Sequence, residues 1–193
     1  MTRQTLTRER VVRRAAELAD AGGMSSATLS AVARSFGVRT PSLYGHVRDL
    51  AALRDGITVL ALHDLGEQVG EAIAGRSGRD ALIGFGDAHR AFARRHPGLW
   101  ESLQGRASET VVRDPSAARI VRHAEAVLHG YGIAETDRVH MIRLIGGALN
   151  GFLNLERRGD FDHSEPPAEQ SWPVLLDSLD LMLSRWNERD RDA

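Results

Sequence analysis

The chain has 193 residues, of which 42% are hydrophobic, 26% charged and 5% aromatic, a balance too apolar for disorder and too charged for a membrane protein. It contains no cysteine, which excludes thiol nucleophiles, cysteine-ligated zinc, iron–sulfur clusters and disulfides. All 25 basic residues are arginine, so P-loop lysine and lysine Schiff-base chemistry are excluded as well.

The net charge of -1 hides an asymmetry. Residues 1–50 hold eight arginines against four acids, whereas the remainder holds seventeen against twenty-two. A basic arm on an acidic body is the charge pattern of a nucleic-acid-binding segment, although surface arginines clustered for solubility give the same count. The polar opening Thr2 to Arg10 carries no signal-peptide apolar core, and no run of about 18 apolar residues occurs, so a cytoplasmic chain is expected.

Helical periodicity dominates, and no strand pattern survives. Arg8 to Ala21 places Val11, Ala15, Leu18 and Ala19 on one face and stops at Gly22-Gly23. Thr28 caps a short helix from Leu29 to Phe36, closed by Gly37, and Thr40-Pro41 opens another that runs to about Val47. Asp49 caps a long helix reaching Ala74, and Arg79 to Arg95 forms the next. His96-Pro97 and Asp114-Pro115 start further helices. Residues 137–158 form a strongly apolar helix ended by Gly159. After a loop from Asp160 to Gln170, Ser171-Trp172-Pro173 opens the last helix, and the tail from Arg189 is expected to fray. The expectation is an all-α protein of about nine helices.

Leu29 to Val47 contains two short helices separated by a three-to-four-residue turn. Ala33 is small where the second helix crosses, Gly37 supplies the turn, and Val32, Phe36, Val38, Leu43 and Val47 pin the pair to the first helix. This is a helix-turn-helix, whose second helix enters the major groove. A helix hairpin in a plain bundle shares parts of the pattern, but a short, polar, arginine-flanked helix is a poor bundle element.

These residues resemble the tetracycline-repressor (TetR) family of bacterial transcriptional regulators. The resemblance rests on Ala15-Ala16-Glu17-Leu18, Gly22-Gly23, Val32-Ala33 through Gly37-Val38, and above all Thr40 to Val47 followed by Leu50 and Leu53; it covers about residues 7–55. Phe92 to Trp100 and Gly151 to Glu156 are similar to a recurring carboxy-terminal domain of the family, a weaker match. The resemblance implies that Tyr44 and His46 contact phosphates and that Thr40, Pro41 and Ser42 meet base edges or a thymine methyl group. Thr28 and Arg39 join the expected DNA-contacting set. The family commonly has a phosphate-binding lysine where this chain has Leu50, and Arg48 is the neighbouring candidate to replace it.

The resemblance further implies a DNA-binding head over residues 1–50 and an effector-binding, dimerising domain over residues 51–193. Phe85, His89, Phe92, Trp100, Leu103, Met141, Ile145 and Asn150 have the composition of an apolar small-molecule site, with His89, His123 and Asn150 as its polar members. Gly147 and Gly151 allow another helix to approach. With the stripe Trp172, Leu175, Leu176, Leu179, Met182, Leu183 and Trp186, they suggest a helical bundle across a twofold axis. Both helices completing only the monomer core is the competing account.

No HExxH, GxSxG or P-loop motif occurs, so no catalytic residue, metal ligand or cofactor is expected. The expected function is a repressor, released from a palindromic operator by a small molecule. A ligand-independent DNA-binding protein would carry the same head, and a metal site or enzyme assembled from distant histidines and acids is the remaining alternative.

Overall fold

The computed structural model describes residues 5–186. Among these residues there are nine α-helices and no strand. The expected tail at residues 189–193 lies outside the described residues.

The chain divides into two compact units, the first holding residues up to 64 together with 95–118, the second holding 65–94 and the residues from 119 onward. In the first unit, α1 spans Arg8–Gly22, α2 Leu29–Ser35 and α5 Pro97–Ser102, with α6 at Glu109–Val112. The helix α4 (Gly78–Arg95) belongs almost wholly to the second unit, with α8 (Glu135–Arg157) and α9 (Ala168–Arg185). Two helices, α3 (Leu50–Ile73) and α7 (Pro115–His129), contribute residues to both.

Local chemistry sets the boundaries. Thr7 caps α1 by accepting the Arg10 amide hydrogen at 3.3 Å, and Gly23, at φ 79°, ends the helix while its amide donates to the Ala19 carbonyl. The buried face of α1 is Val11, Val12, Ala15, Ala16 and Ala19, small enough to let other helices come close. The core of the first unit is completed by Val32, Leu43, Leu53, Ile57 and Trp100.

The second unit is built around Leu82, Phe92, Leu128, Met141, Leu149 and Leu183, all fully buried. At Gly86 a Cβ would stand 2.7 Å from Leu176 Cδ2, so the leucine side chain of α9 fills the space beside α4 that a larger residue there would take. Arg90 lies 5.0 Å from the Trp172 ring centroid and pairs with Glu156, while the Trp172 indole donates to Asp87 at 2.7 Å. Arg94 adds bonds of 2.9 and 2.8 Å to Glu156 and Glu169. This network satisfies a half-buried carboxylate that would otherwise be costly.

Two boundaries depart from the sequence expectation. The last helix begins at Ala168, with Pro167 as its extended cap residue, and Pro173 lies inside it rather than at its start. The proline falls within the second turn, where its missing N–H removes a single bond. Second, Thr40 to Val47 is not an α-helix: Thr40–Leu43 is one 3₁₀ turn, with Tyr44 donating to the Pro41 carbonyl and His46 to that of Leu43. Gly45, poor at propagating a helix, follows at once. The short helix α6 and a 3₁₀ turn at Met24–Ser26 carry no sequence signal strong enough to announce them.

Candidate nucleic-acid interface

The interface is built on α2 and the 3₁₀ turn. Thr28 Oγ1 accepts the Ala31 amide at 3.2 Å and shares a hydrogen bond with Ser30, which starts α2. At the other end Gly37 takes φ 67°, and Val38 donates back to the Ala33 carbonyl at 3.0 Å. Arg39 is extended, and Pro41 then presets the turn.

Burial separates the two sides of this segment. Leu43 and Val47 are buried with Val32 and Ala33, which locks the turn against α2, itself packed on α1. Arg39, Pro41, Ser42 and Tyr44 are exposed, while Thr40 and His46 are half-buried. Tyr44 is 54% exposed, so its ring is not spent on the core. Arg48 extends into solvent from the end of the segment and bonds Asp49 at 2.9 Å. The Ala52 amide, and then Arg48, hold the Asp49 carboxylate below its ordinary range, and this carboxylate caps α3. Thr28 has its oxygen engaged in capping, which gives it a structural task at the position expected to touch DNA.

The residues expected to form an effector cavity belong to both compact units. Phe85, His89 and Phe92 on α4 and Met141 and Ile145 on α8 are buried in the second unit. The Phe85 and His89 rings are 4.3 Å apart, and His89 Nδ1 lies 2.7 Å from the Phe85 carbonyl oxygen. Burial pushes the His89 imidazole down to about 4, assisted by nearby His123, whose own value is lowered chiefly by desolvation. His123 Nε2 is buried without a hydrogen-bond partner. Trp100 and Leu103 belong instead to the first unit, Trp100 fully buried and Leu103 partly so. Asn150 is exposed on α8, near Gly147 and Gly151.

The expected dimer residues also divide. Nothing lies within 4 Å of a Cβ built on Gly147 or Gly151, so both present open backbone. Leu179 and Leu183 are buried in their own unit, and Leu175, Met182 and Trp186 are half-buried, the Trp186 indole donating to Asp137 at 2.8 Å. The apolar side chains left exposed on α8 and α9 are Val139, Leu144, Val174 and Leu181. Of the periodic stripe of α9, Trp172, Leu176, Leu179 and Leu183 are buried within their own unit, whereas Leu175, Met182 and Trp186 keep part of their surface open.

Sequence reasoning missed the attachment of α1 to α5. Asp20 Oδ1 accepts the amides of Gly98 and Leu99 at 2.9 and 3.0 Å, and its Oδ2 meets His96 Nδ1 at 2.9 Å. Glu101 accepts the Met24 amide at 3.2 Å. An acid at the end of a helix has many possible partners, and 76 residues separate Asp20 from His96.

Residues 82–179 match the family described as tetracyclin repressor-like, C-terminal domain. The chain is 31% identical over 169 residues to the HTH-type transcriptional regulator Rv0681 of Mycobacterium tuberculosis, covering 84% of this chain and 76% of that protein. It is 29% identical over 163 residues to the HTH-type transcriptional regulator YobS of Bacillus subtilis, covering 83% and 84% respectively. The fold is shared with a single-substitution variant of TetR from Acinetobacter baumannii in complex with minocycline, at a TM-score of 0.73 and 23% identity, over 94% of this chain and 98% of that one. The segment of α2 and the 3₁₀ turn, the family match across half the chain and these relatives converge: the chain belongs to the TetR family of DNA-binding, helix-turn-helix transcriptional regulators.

Proposed function

We propose that this chain is a cytoplasmic homodimeric repressor that binds a palindromic operator and is released from it by a small organic effector. The observation that carries the proposal is the split of one short segment: Leu43 and Val47 are buried while Pro41, Ser42 and Tyr44 face solvent. The polar edge is thereby held rigidly by the core beneath it, as base and phosphate contacts require. Residues 1–50 act as the DNA-binding head, with Tyr44, His46 and Arg48 on phosphates and Arg39, Thr40, Pro41 and Ser42 toward bases.

Residues 51–193 supply dimerisation and effector binding. The exposed Leu144, Gly147 and Gly151 of α8 with Val174 and Leu181 of α9 form the twofold contact. The effector occupies the second unit beside His89 and His123, where the neutral, unpartnered His123 Nε2 offers a polar anchor among aromatic side chains. No described protein group bonds that nitrogen, which leaves it open to a hydrogen bond with a ligand. The chain acts by binding alone and catalyses no reaction. Among the described residues no helix is long and apolar enough to cross a membrane. An effector favouring the released state by about 1–3 kcal/mol lowers operator affinity roughly 5- to 150-fold.

The test is fluorescence anisotropy against the DNA flanking its own gene, at two salt concentrations and with a panel of compounds. Affinity is expected to fall steeply with salt and to be lost with at least one compound. A chain that binds no palindrome in dilute buffer, or that sediments as a monomer, is not this regulator.

A further inference from the structure

The first unit holds a groove of about 700 Å³ that includes none of the residues assigned above to DNA, effector or dimer contacts. That volume falls among small-molecule sites. Its floor is apolar: Val12 of α1 with Gly56, Val59 and Leu60 of α3. Glycine shapes this floor, because a Cβ at position 56 would stand 2.7 Å from Val12 Cγ2. On the α3 side, positions 55–56, 59–60 and 63–64 recur at helical spacing, so the helix presents one continuous strip to the groove.

The rim has a different character. Four carboxylates, Glu9, Asp55, Asp64 and Asp114, stand against the guanidiniums of Arg8 and Arg13. Arg13 is already paired with Glu9 at 3.2 Å. Asp114 accepts the Ser116 amide at 2.9 Å, and Asp64 lies 3.1 Å from the His63 ring. Asp55 is half-buried and has no hydrogen-bond partner among the described residues. This acidic excess sits in a unit whose amino-terminal sequence is otherwise basic.

Each candidate occupant meets a different part of this surface. A nucleic-acid phosphate is repelled by the rim. An inorganic cation gains nothing from the apolar floor, and no group of three or more carboxylates or imidazoles among the described residues converges as metal ligands would. A neutral apolar molecule leaves the carboxylates uncompensated. Only an organic cation uses both halves. We propose that the groove walled by α1, α3 and the residues joining α6 to α7 is a second small-molecule site. It takes a monocation carried on an apolar body of drug size, and it is separate from the effector site assigned to the second unit.

The probe pair is tetraphenylphosphonium and tetraphenylborate, ions of the same shape and opposite charge, titrated into the intact protein by calorimetry. The phosphonium is expected to saturate a site of one per chain and the borate to show no such site. The double variant Asp55→Asn, Asp64→Asn is expected to weaken phosphonium binding about tenfold, two partly exposed charge contacts being removed. Val59→Trp, which fills the groove and leaves every carboxylate in place, is expected to abolish it. A photoreactive phosphonium on the wild-type chain should label peptides within residues 8–13 and 55–64, a readout that does not depend on any variant folding. Equal binding of the two ions, an undiminished affinity in the folded double variant, or labelling confined to residues 85–145 overturns the proposal.

Discussion

Gly98 lies directly against Ala19. A Cβ on Gly98 would overlap the Ala19 carbonyl group and come within 2.5 Å of the Asp20 amide nitrogen, while the Gly98 amide donates to Asp20 Oδ1 at 2.9 Å. The end of α1 and the start of α5 therefore meet backbone to backbone, and no flexible side chain is present to give way. Gly98→Ala is expected to cost about 3 kcal/mol, the upper range of overpacking, because the obstacle is backbone. Thermal unfolding followed by circular dichroism reads this directly, and a melting curve matching the wild type would show that the two helices separate freely.

Asp20 takes part in the same junction by a different route. Its carboxylate caps two α5 amides, so Asp20→Ala leaves both without a protein partner. A loss of about 1–2 kcal/mol is expected in urea unfolding, the usual cost of removing a helix cap. Asp20→Asn keeps one acceptor oxygen and should lose less than the alanine variant.

His89 gives the protein an acid-sensitive core. Its imidazole is pushed down to about 4 by burial, against an ordinary value of 6.5. Below 6.5 the unfolded chain takes up a proton that the folded chain refuses, so stability present at neutral pH is lost as pH falls toward 4. At pH 5 the expected loss is about 2 kcal/mol relative to pH 7. His89→Gln removes this proton uptake, so the difference between its denaturation midpoints at pH 7 and pH 5 should shrink; an unchanged difference would assign the effect to other groups.

Tyr44 tests the DNA interface without disturbing the core, since more than half of its surface is exposed. Tyr44→Ala should weaken binding about tenfold on every operator sequence and leave the melting temperature unchanged, the magnitude of one lost hydrogen bond to a charged group. Ser42→Ala should instead change which bases are preferred. Unaltered affinity in Tyr44→Ala would mean that the 3₁₀ turn docks by another edge.

Leu144→Glu together with Leu181→Glu places charge on the exposed apolar faces of α8 and α9. The expected product is a folded monomer in analytical ultracentrifugation. Persistence of a dimer would move the interface off these two helices.

The segment from Thr28 to Val47 was legible in the sequence because its signals are local, although its second element is a 3₁₀ turn and not the expected helix. Thr28, Gly37 and Pro41 act within a few residues of where they stand, and the buried set from Val32 to Val47 follows helix and turn periodicity. The same reasoning misplaced the start of α9, where Pro173 resembled a first-turn proline although Pro167 had already opened the helix. Trp100 and Leu103 were gathered with Phe85 and Met141 on composition alone, which carries no information about the compact unit in which each is packed.

Residue type and spacing determined the all-α class, the position of the capped α2 and the proline-led turn after it, and the absence of thiol and lysine chemistry, because each depends on groups near one another along the chain or on composition itself. Only the tertiary structure decided that Asp20 caps α5, that Gly56 brings α3 onto Val12, and that Leu176, Leu179 and Leu183 of α9 face inward while Val174 and Leu181 remain outside. The physical reason is that an amphipathic helix reveals which of its sides is apolar, but what covers that side is set by helices tens of residues away.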